Sequence, residues 1–153
     1  MLRVLPKRWF SWDFTIYDGD VSVADLDLAV FKEAGTLHIG GIACTMYREG
    51  LMSGAFVLEA EGYVLVRAEK PSALIRMFEV TYDDKRYMLK ARAAFFRAFE
   101  LLEGEQRIGV LSPDHAFTRK MTADLPEAMP LAVRVFIIWL VLILWKRDAN
   151  AAG

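Results

Sequence analysis

Between residues 12 and 122 the chain alternates between apolar and polar positions with a period of two, as strands with one buried face do. Phe14 and Ile16 have polar neighbours on both sides, and Leu26, Leu28 and Val30 alternate with other residues in the same way. Turn signals interrupt the alternation at intervals close to the roughly 8–12 residues of an all-β sandwich or barrel. The pattern predicts about ten to twelve strands, although residues 91–102 would also make a fair helix.

The pattern changes near the C-terminal end, where residues 135–145 are apolar without interruption. A helix there has apolar side chains on every side, so either lipid or protein must surround it. The uninterrupted run spans about 17 Å as a helix, and about 23 Å when it is extended across Arg134 to residue 131. Both lengths are below the roughly 30 Å of a bilayer core, and a charge there is costly. The length therefore favours a helix that is surrounded by protein and not by lipid.

A closed sheet of this size has an interior that its own side chains do not fill. The sequence predicts a mainly β fold, a closed antiparallel β-barrel of about 10–12 strands wrapped around one buried C-terminal helix. The expected domain spans residues 1–148, with the helix at about 130–147 and a frayed tail at 149–153. The side chains predicted to form the helix core are Val135, Phe136, Ile138, Trp139, Leu140, Leu142, Ile143 and Trp145.

Residues near both predicted ends of this helix agree with a helix at about 130–147. Asp124 and Glu127 have the spacing of a capping box, and Pro130 is expected where the long helix begins. Lys146 and Arg147 lie near the predicted C-terminal end, where cations interact favourably with the helix dipole.

Composition excludes several classes of protein. The 153 residues include 19 Lys and Arg and 20 Asp and Glu, a net charge of −1, so a general nucleic-acid binder is not expected. With 55% hydrophobic residues the chain is not disordered as a whole. One cysteine and two histidines form neither an internal disulfide nor a standard zinc site, and we predict no metal and no cofactor. Residues 1–9 lack the apolar region of a signal peptide.

The order of elements resembles the tubby C-terminal-like superfamily, which includes the tubby domain, the phospholipid scramblases and the LURP-one-related proteins. The resemblance is carried by the predicted hairpins 78–82/86–90 and 99–102/107–111, by the Asp-Leu-Pro segment 124–126 and by the apolar helix 135–145. It implies a β-barrel around a C-terminal helix. It also implies a function at membranes, since tubby domains bind phosphoinositide headgroups, but it assigns no site residues here.

Candidate catalytic chemistry is sparse. Ser112, Asp114 and His115 are residue types of a hydrolase triad, but they lie in one four-residue segment and so do not come from separate elements. A β-turn with Pro113 at its second position is the better interpretation. We therefore predict a protein that is not an enzyme.

Four cations, Lys85, Arg86, Lys90 and Arg92, fall on or beside one predicted strand, and the last three share a face. They are predicted ligand-binding residues for a phosphorylated headgroup or another acidic partner. The alternative is a solvated outer face whose charges are balanced by acidic residues on the neighbouring strand.

The N-terminal residues Lys7, Arg8, Trp9, Phe10 and Trp12 combine cations with aromatic rings and are candidates for a membrane interface. The other interpretation, which the sequence favours, is that the rings plug one mouth of the barrel.

Two functional hypotheses follow. The first is a non-enzymatic, tubby-like binding or scaffold module that recognises anionic phospholipid headgroups, or an acidic protein surface, at the inner face of a membrane; its location would be cytoplasmic and peripheral. The second is a C-terminally anchored membrane protein, with residues 131–145 in the bilayer and the β-domain in water.

Overall fold

A computed structural model of the chain describes residues 1–50, 54–71, 76–93 and 97–152. These residues contain twelve strands and one helix: β1 (Leu2–Pro6), β2 (Asp13–Asp18), β3 (Val21–Leu28), β4 (Ala34–Ile39), β5 (Ile42–Arg48), β6 (Ala55–Ala60), β7 (Tyr63–Glu69), β8 (Met77–Tyr82), β9 (Lys85–Ala91), β10 (Phe99–Glu103), β11 (Gln106–Pro113), β12 (Met121–Asp124) and α1 (Leu131–Ala152).

The strands form one closed antiparallel barrel. Each strand pairs with its neighbours in the chain, and β1 pairs with β12, where Leu2 lies opposite Ala123 and Val4 opposite Met121. Residues predicted to face inward, such as Phe14 and Ile16, are fully buried. The predicted fold class is confirmed.

Helix α1 runs through the barrel and supplies its core. Every side chain from residue 135 to residue 145 is at most 4% exposed, and this range includes all eight residues predicted for the helix core. Trp139 stacks on Phe136 with ring centroids 5.8 Å apart and meets Phe56 of the wall edge-on at 5.9 Å. At roughly 1.5–3 kcal/mol for each large apolar side chain, this burial is a major source of stability.

The enclosure of α1 argues against the anchored alternative, because residues 131–145 would have to contact lipid and instead pack inside the protein wall. Leu140, at the middle of the segment, is fully buried. Among the described residues, no helix combines the length and the apolar content needed to cross a membrane.

Helix α1 begins where Pro130 predicts, since the Pro130 carbonyl accepts a hydrogen bond from the Arg134 N–H at 3.1 Å. The capping-box prediction is wrong. Asp124 pairs with Val110 in the β-ladder, Glu127 lies before the helix, and the first helical turn contains no acidic residue.

The C-terminal end of α1 also differs from the prediction. Residues 149–152 are helical rather than frayed, in agreement with the high helix propensity of the alanines there; Gly153 lies outside the described residues. Lys146 and Arg147 are therefore not at the helix terminus. Arg147 instead donates to the Glu33 carboxylate, with Nη2 2.6 Å from Oε1.

The two ends of the barrel differ in the length of the connections between strands. The turn end consists of the two-residue turns 19–20, 40–41, 61–62, 83–84 and 104–105 and of the segment 125–130 that leads into α1. The loop end consists of the described residues of the longer connections, 7–12, 29–33, 49–50, 54, 70–71, 76, 92–93, 97–98 and 114–120, together with the C-terminal part of α1, residues 146–152.

Candidate functional site

Among the residues that the structure describes, five large apolar side chains are exposed at the loop end: Trp9 (86%), Phe10 (66%), Val30 (71%), Phe31 (100%) and Phe117 (95%). They belong to three connections that are neighbours around the barrel, because β11, β12, β1, β2, β3 and β4 are consecutive in the closed sheet. We call these five residues the apolar arc. Exposed apolar groups that gather in one region commonly mark a surface that contacts a partner or a membrane.

The N-terminal segment divides into two parts. Trp12 is half-buried against the core, 6.2 Å from the Phe14 ring and beneath the Arg119 guanidinium, so this ring does plug the mouth of the barrel. Trp9 and Phe10 do not, because α1 already fills the interior and leaves no room for a second segment. For these two residues the plug interpretation is wrong.

The two N-terminal cations have different surroundings. The Lys7 ammonium lies 3.1 Å from Asp25 on the outer wall, and this hydrogen bond raises the pKa of Lys7 and lowers that of Asp25. Arg8 is more exposed, with its guanidinium 3.7 Å from Asp13 and 5.8 Å from the Phe10 ring centroid. Arg8 is therefore the cation that lies beside the apolar arc.

The sequence pattern does not identify three residues of the apolar arc. The period of two predicts a strand residue at Val30, but β3 ends at Leu28 and leaves Val30 in the following connection. No pattern in the sequence predicts a role for Phe31 or Phe117. The signal that identifies them is a large apolar residue close to a cation in a connection, as Phe31 is to Lys32 and Phe117 to Arg119.

Charge is unequally divided between the two ends. The loop end contains eleven cationic residues and four acidic ones, whereas the turn end contains six acidic residues and no Lys or Arg. The loop-end cations are Lys7, Arg8, Lys32, Lys70, Arg76, Arg92, Arg97, Arg119, Lys120, Lys146 and Arg147. The turn-end acids are Asp20, Glu61, Asp83, Asp84, Glu105 and Glu127. The net charge of −1 conceals this separation.

Several loop-end cations are held in place by the helix and the loops. The Lys146 ammonium donates to the carbonyls of Ala29 and Val30, and burial lowers the pKa of Lys146. The Arg97 guanidinium lies 3.9 Å from the Trp145 ring centroid, while the Trp145 indole N–H donates to the Arg97 carbonyl at 3.0 Å. Burial also lowers the pKa of Arg97. These contacts hold positive charge at the mouth of the barrel.

A pocket of about 120 Å³ lies next to the apolar arc, between the 29–33 connection and α1. Leu28 and Ile143 contribute apolar surface, Lys32 and Lys146 contribute positive charge, and Arg147 is paired there with the Glu33 carboxylate. Apolar and cationic groups thus meet in one concave surface.

The four cations predicted to bind a headgroup do not converge. Lys85 begins β9 at the turn end and Arg92 follows it at the loop end, about 20 Å away along the strand. Between them, Arg86 lies 3.7 Å from Glu79 on β8, and Lys90 lies at the same distance from a glutamate on β10. This arrangement fits the solvated outer face with balanced charges.

The residue types of the triad have separate partners. The Asp114 carboxylate accepts two hydrogen bonds from Arg3, at 2.6 and 2.8 Å, and these lower the pKa of Asp114. The His115 Nδ1 accepts the N–H of Phe117 at 3.3 Å. Asp114 therefore links the 114–120 connection to β1.

Comparisons of the chain with protein-family models, with curated proteins and with solved structures found no match. The resemblance to the tubby C-terminal-like superfamily stays a prediction.

Proposed function

We propose that the protein is a non-enzymatic module that binds the surface of a membrane containing anionic lipids, with the loop end towards the bilayer. The observation that carries this proposal is the apolar arc, which lies among basic residues at the same end of the barrel. The resemblance to the tubby C-terminal-like superfamily, some of whose members act at membranes, points in the same direction.

The aromatic rings of the arc supply the apolar part of the binding energy. Full burial of a side chain such as phenylalanine contributes about 1.5–3 kcal/mol, so partial insertion of Trp9, Phe31 and Phe117 contributes a few kcal/mol together. Tryptophan suits the headgroup region because its ring is apolar and its N–H remains able to donate a hydrogen bond.

Cations beside the arc supply the electrostatic part. Arg8, Lys32 and Lys120 are exposed in the same three connections as the apolar residues. A Lys or Arg side chain close to an anionic leaflet contributes about 1 kcal/mol, and the attraction decays within a Debye length of about 8–10 Å. The acidic turn end would be repelled, so the charge separation also sets the orientation of the barrel.

The pocket beside Phe31 supports a finer proposal, in which a phosphorylated headgroup binds between the 29–33 connection and α1. Lys32 and Lys146 would face the phosphate beside the Arg147–Glu33 ion pair, while Phe31 enters the bilayer. Cations that surround a phosphate form strong, charge-assisted hydrogen bonds.

A rival apolar surface lies on the outer wall near the turn end. Val21, Ile42, Tyr63, Val64 and Leu65 are exposed there, at or close to the first residues of β3, β5 and β7. Their neighbours at that end are acidic, which disfavours anionic lipid. These residues therefore provide a matched control for the apolar arc.

The test compares two triple variants in co-sedimentation with vesicles of phosphatidylcholine, with and without phosphatidylserine. Combining Trp9→Ser, Phe31→Ser and Phe117→Ser should weaken binding to the anionic vesicles by at least about tenfold, which corresponds to about 1.4 kcal/mol. Combining Ile42→Ser, Tyr63→Ser and Val64→Ser should leave it unchanged. All six side chains are exposed, so both variants should fold. Equal binding by the loop-end variant and the wild type would overturn the proposal.

A further inference from the structure

Glu33, an acidic residue at the basic end of the barrel, joins the 29–33 connection to two other elements. Its carboxylate accepts hydrogen bonds from Arg147 of α1, whose Nη2 lies 2.6 Å from Oε1, and from Arg48 of β5, whose Nη1 lies 3.2 Å from the same oxygen. The Glu33 carbonyl also accepts the Arg48 N–H at 3.1 Å. The connection is therefore tied both to the helix and to the wall of the barrel.

Lys146 of α1 holds the other end of the same connection. Its ammonium donates to the carbonyls of Ala29 and Val30. The Ala29 N–H in turn donates to the Ala34 carbonyl at 2.9 Å, which closes the connection into a loop. Backbone on both sides of Phe31 is thus fixed, partly by charge-assisted hydrogen bonds, which are roughly twice as strong as neutral ones.

The position of the Phe31 ring at the tip of this loop needs an explanation. The ring is fully exposed, although the pocket beside it offers the apolar side chains of Leu28 and Ile143. An unrestrained phenylalanine would be expected to turn onto such a surface, because burial of its ring is favourable. The folded chain holds the ring in the solvent instead.

We propose that Glu33 is a positioning residue for membrane binding, which holds the 29–33 connection so that Phe31 projects towards the bilayer. This inference rests on the proposed membrane function and adds to it the network that presents the ring. A connection that is already ordered loses less conformational entropy when its ring enters the membrane, so binding is tighter. Without the Glu33 contacts, Phe31 would be able to fold onto the pocket and would contact lipid less.

Such a role reverses the sign of the effect expected from charge alone. Removal of a negative charge from the end that faces an anionic leaflet should strengthen binding. Truncation of Glu33 also releases Arg147 and Arg48 from their ion pairs, which would add to the attraction. If Glu33 acts through Phe31, its truncation should weaken binding instead.

The test compares Glu33→Ala with Asp148→Ala in co-sedimentation with vesicles of phosphatidylcholine and phosphatidylserine. Asp148 is the matched control, because it lies at the same end of the barrel and pairs with Arg76, of a different connection, at 2.8 Å. We expect Glu33→Ala to weaken binding by at least about threefold. Asp148→Ala should leave binding unchanged or strengthen it by up to about fivefold.

Two further variants separate a positioning role from a general loss of stability. In Phe31→Ser protein the ring is absent while Trp9 and Phe117 still support binding, so addition of Glu33→Ala should cause no further loss. Glu33→Gln keeps an oxygen that accepts a hydrogen bond from the arginines, so it should weaken binding less than Glu33→Ala does. Melting temperatures are measured for every variant.

Three results would overturn the proposal and leave the membrane function in place. They are unchanged or stronger binding by Glu33→Ala, equal losses from Glu33→Ala and Asp148→Ala, and a Glu33→Ala loss that is as large in the Phe31→Ser background as in the wild type. Wild-type protein that does not bind the anionic vesicles would refute the membrane function itself, and this inference with it.

Discussion

The two ends of the barrel close the same twelve strands but are built in different ways. The turn end uses two-residue turns, is acidic and encloses a pocket with two tyrosines. The loop end uses longer connections, is basic and, in the part of the chain that the structure describes, exposes five large apolar side chains. Much of the turn-end sequence follows from geometry. Gly19, Gly40, Gly62 and Gly104 have positive φ, which tight hairpin turns demand. Longer connections have no such requirement, so the aromatic rings at the loop end need another explanation.

The comparison of the two ends indicates which residues are informative about function. A glycine or an aspartate in a two-residue turn is explained by the backbone conformation of the turn. Phe31, in contrast, is fully exposed in a connection, where it lowers solubility and is not packed against other side chains. Apolar residues in the longer connections are therefore the stronger evidence.

The largest expected effect concerns the helix that joins the two ends. Leu140→Asp buries a charge at the centre of the barrel and should lower the free energy of unfolding by about 4 kcal/mol or more. Ala149→Asp, on the exposed end of the same helix, should change it by less than about 0.5 kcal/mol. Chemical denaturation measures both. A fragment of residues 1–128 that unfolds cooperatively would contradict the claim that α1 is the core.

A smaller effect on the unfolding free energy is expected from glycine-to-alanine substitutions, which should differ between a position near the loop end and one at the turn end. A Cβ at Gly35 would lie 2.9 Å from the Asp27 carbonyl oxygen and 3.0 Å from the Trp139 indole nitrogen. Gly35→Ala should therefore lower the unfolding free energy by about 1–3 kcal/mol. Gly41→Ala, at a position with open space, is the control and should be nearly neutral. Equal melting temperatures for the two variants would mean that the wall and the helix are not in close contact.

From the charge difference between the two ends we expect each exposed loop-end cation to contribute about 1 kcal/mol to the binding of anionic vesicles. Lys32→Gln with Lys120→Gln should reduce affinity for phosphatidylserine vesicles by about tenfold or more at low salt, and the loss should shrink as ionic strength rises. Lys85→Gln with Arg86→Gln removes the same charge near the turn end and should have little effect. Should the second pair lose more binding than the first, the headgroup site would belong on β9, where the sequence analysis placed it.

The smallest effect concerns the ion pair that ties the loop end to β1. Arg3 lowers the pKa of Asp114 below its usual 3.8, so the pair stabilises the fold above that pH and loses its contribution as the pH falls through the folded pKa. Both side chains are partly exposed, which limits the effect to less than about 1 kcal/mol. Asp114→Asn should therefore be slightly less stable than wild type at pH 7, and the difference should shrink as the pH falls through the folded pKa of Asp114. A difference that does not change as the pH is lowered would assign the loss to something other than the charge.

Prediction from the sequence succeeded where a local pattern carried the information. The period of two around Phe14 and Ile16 identified strands, and the uninterrupted apolar run identified the buried helix. It failed at boundaries, because Asp124 fits a capping box and a strand end equally well, and only pairing with Val110 decides between them. For the β9 cations, sharing a face places Arg86 and Lys90 on one surface near glutamates of the neighbouring strands, and their binding of a headgroup stays a prediction.

By itself, the sequence determined the class of the fold. Burial of one strand face produces a period of two, burial of every helix face produces an uninterrupted apolar run, and both patterns are visible in successive residues. Only the tertiary structure decided where the candidate sites lie. Trp9, Phe31 and Phe117 are far apart in the chain and become neighbours through the pairing of β1 with β12. The turn-end pocket likewise takes one wall from the β8–β9 hairpin and the rest of its lining from β10, β11 and the 125–130 segment. Pairing between distant strands depends on how the whole barrel closes, and the period of any one strand does not encode it.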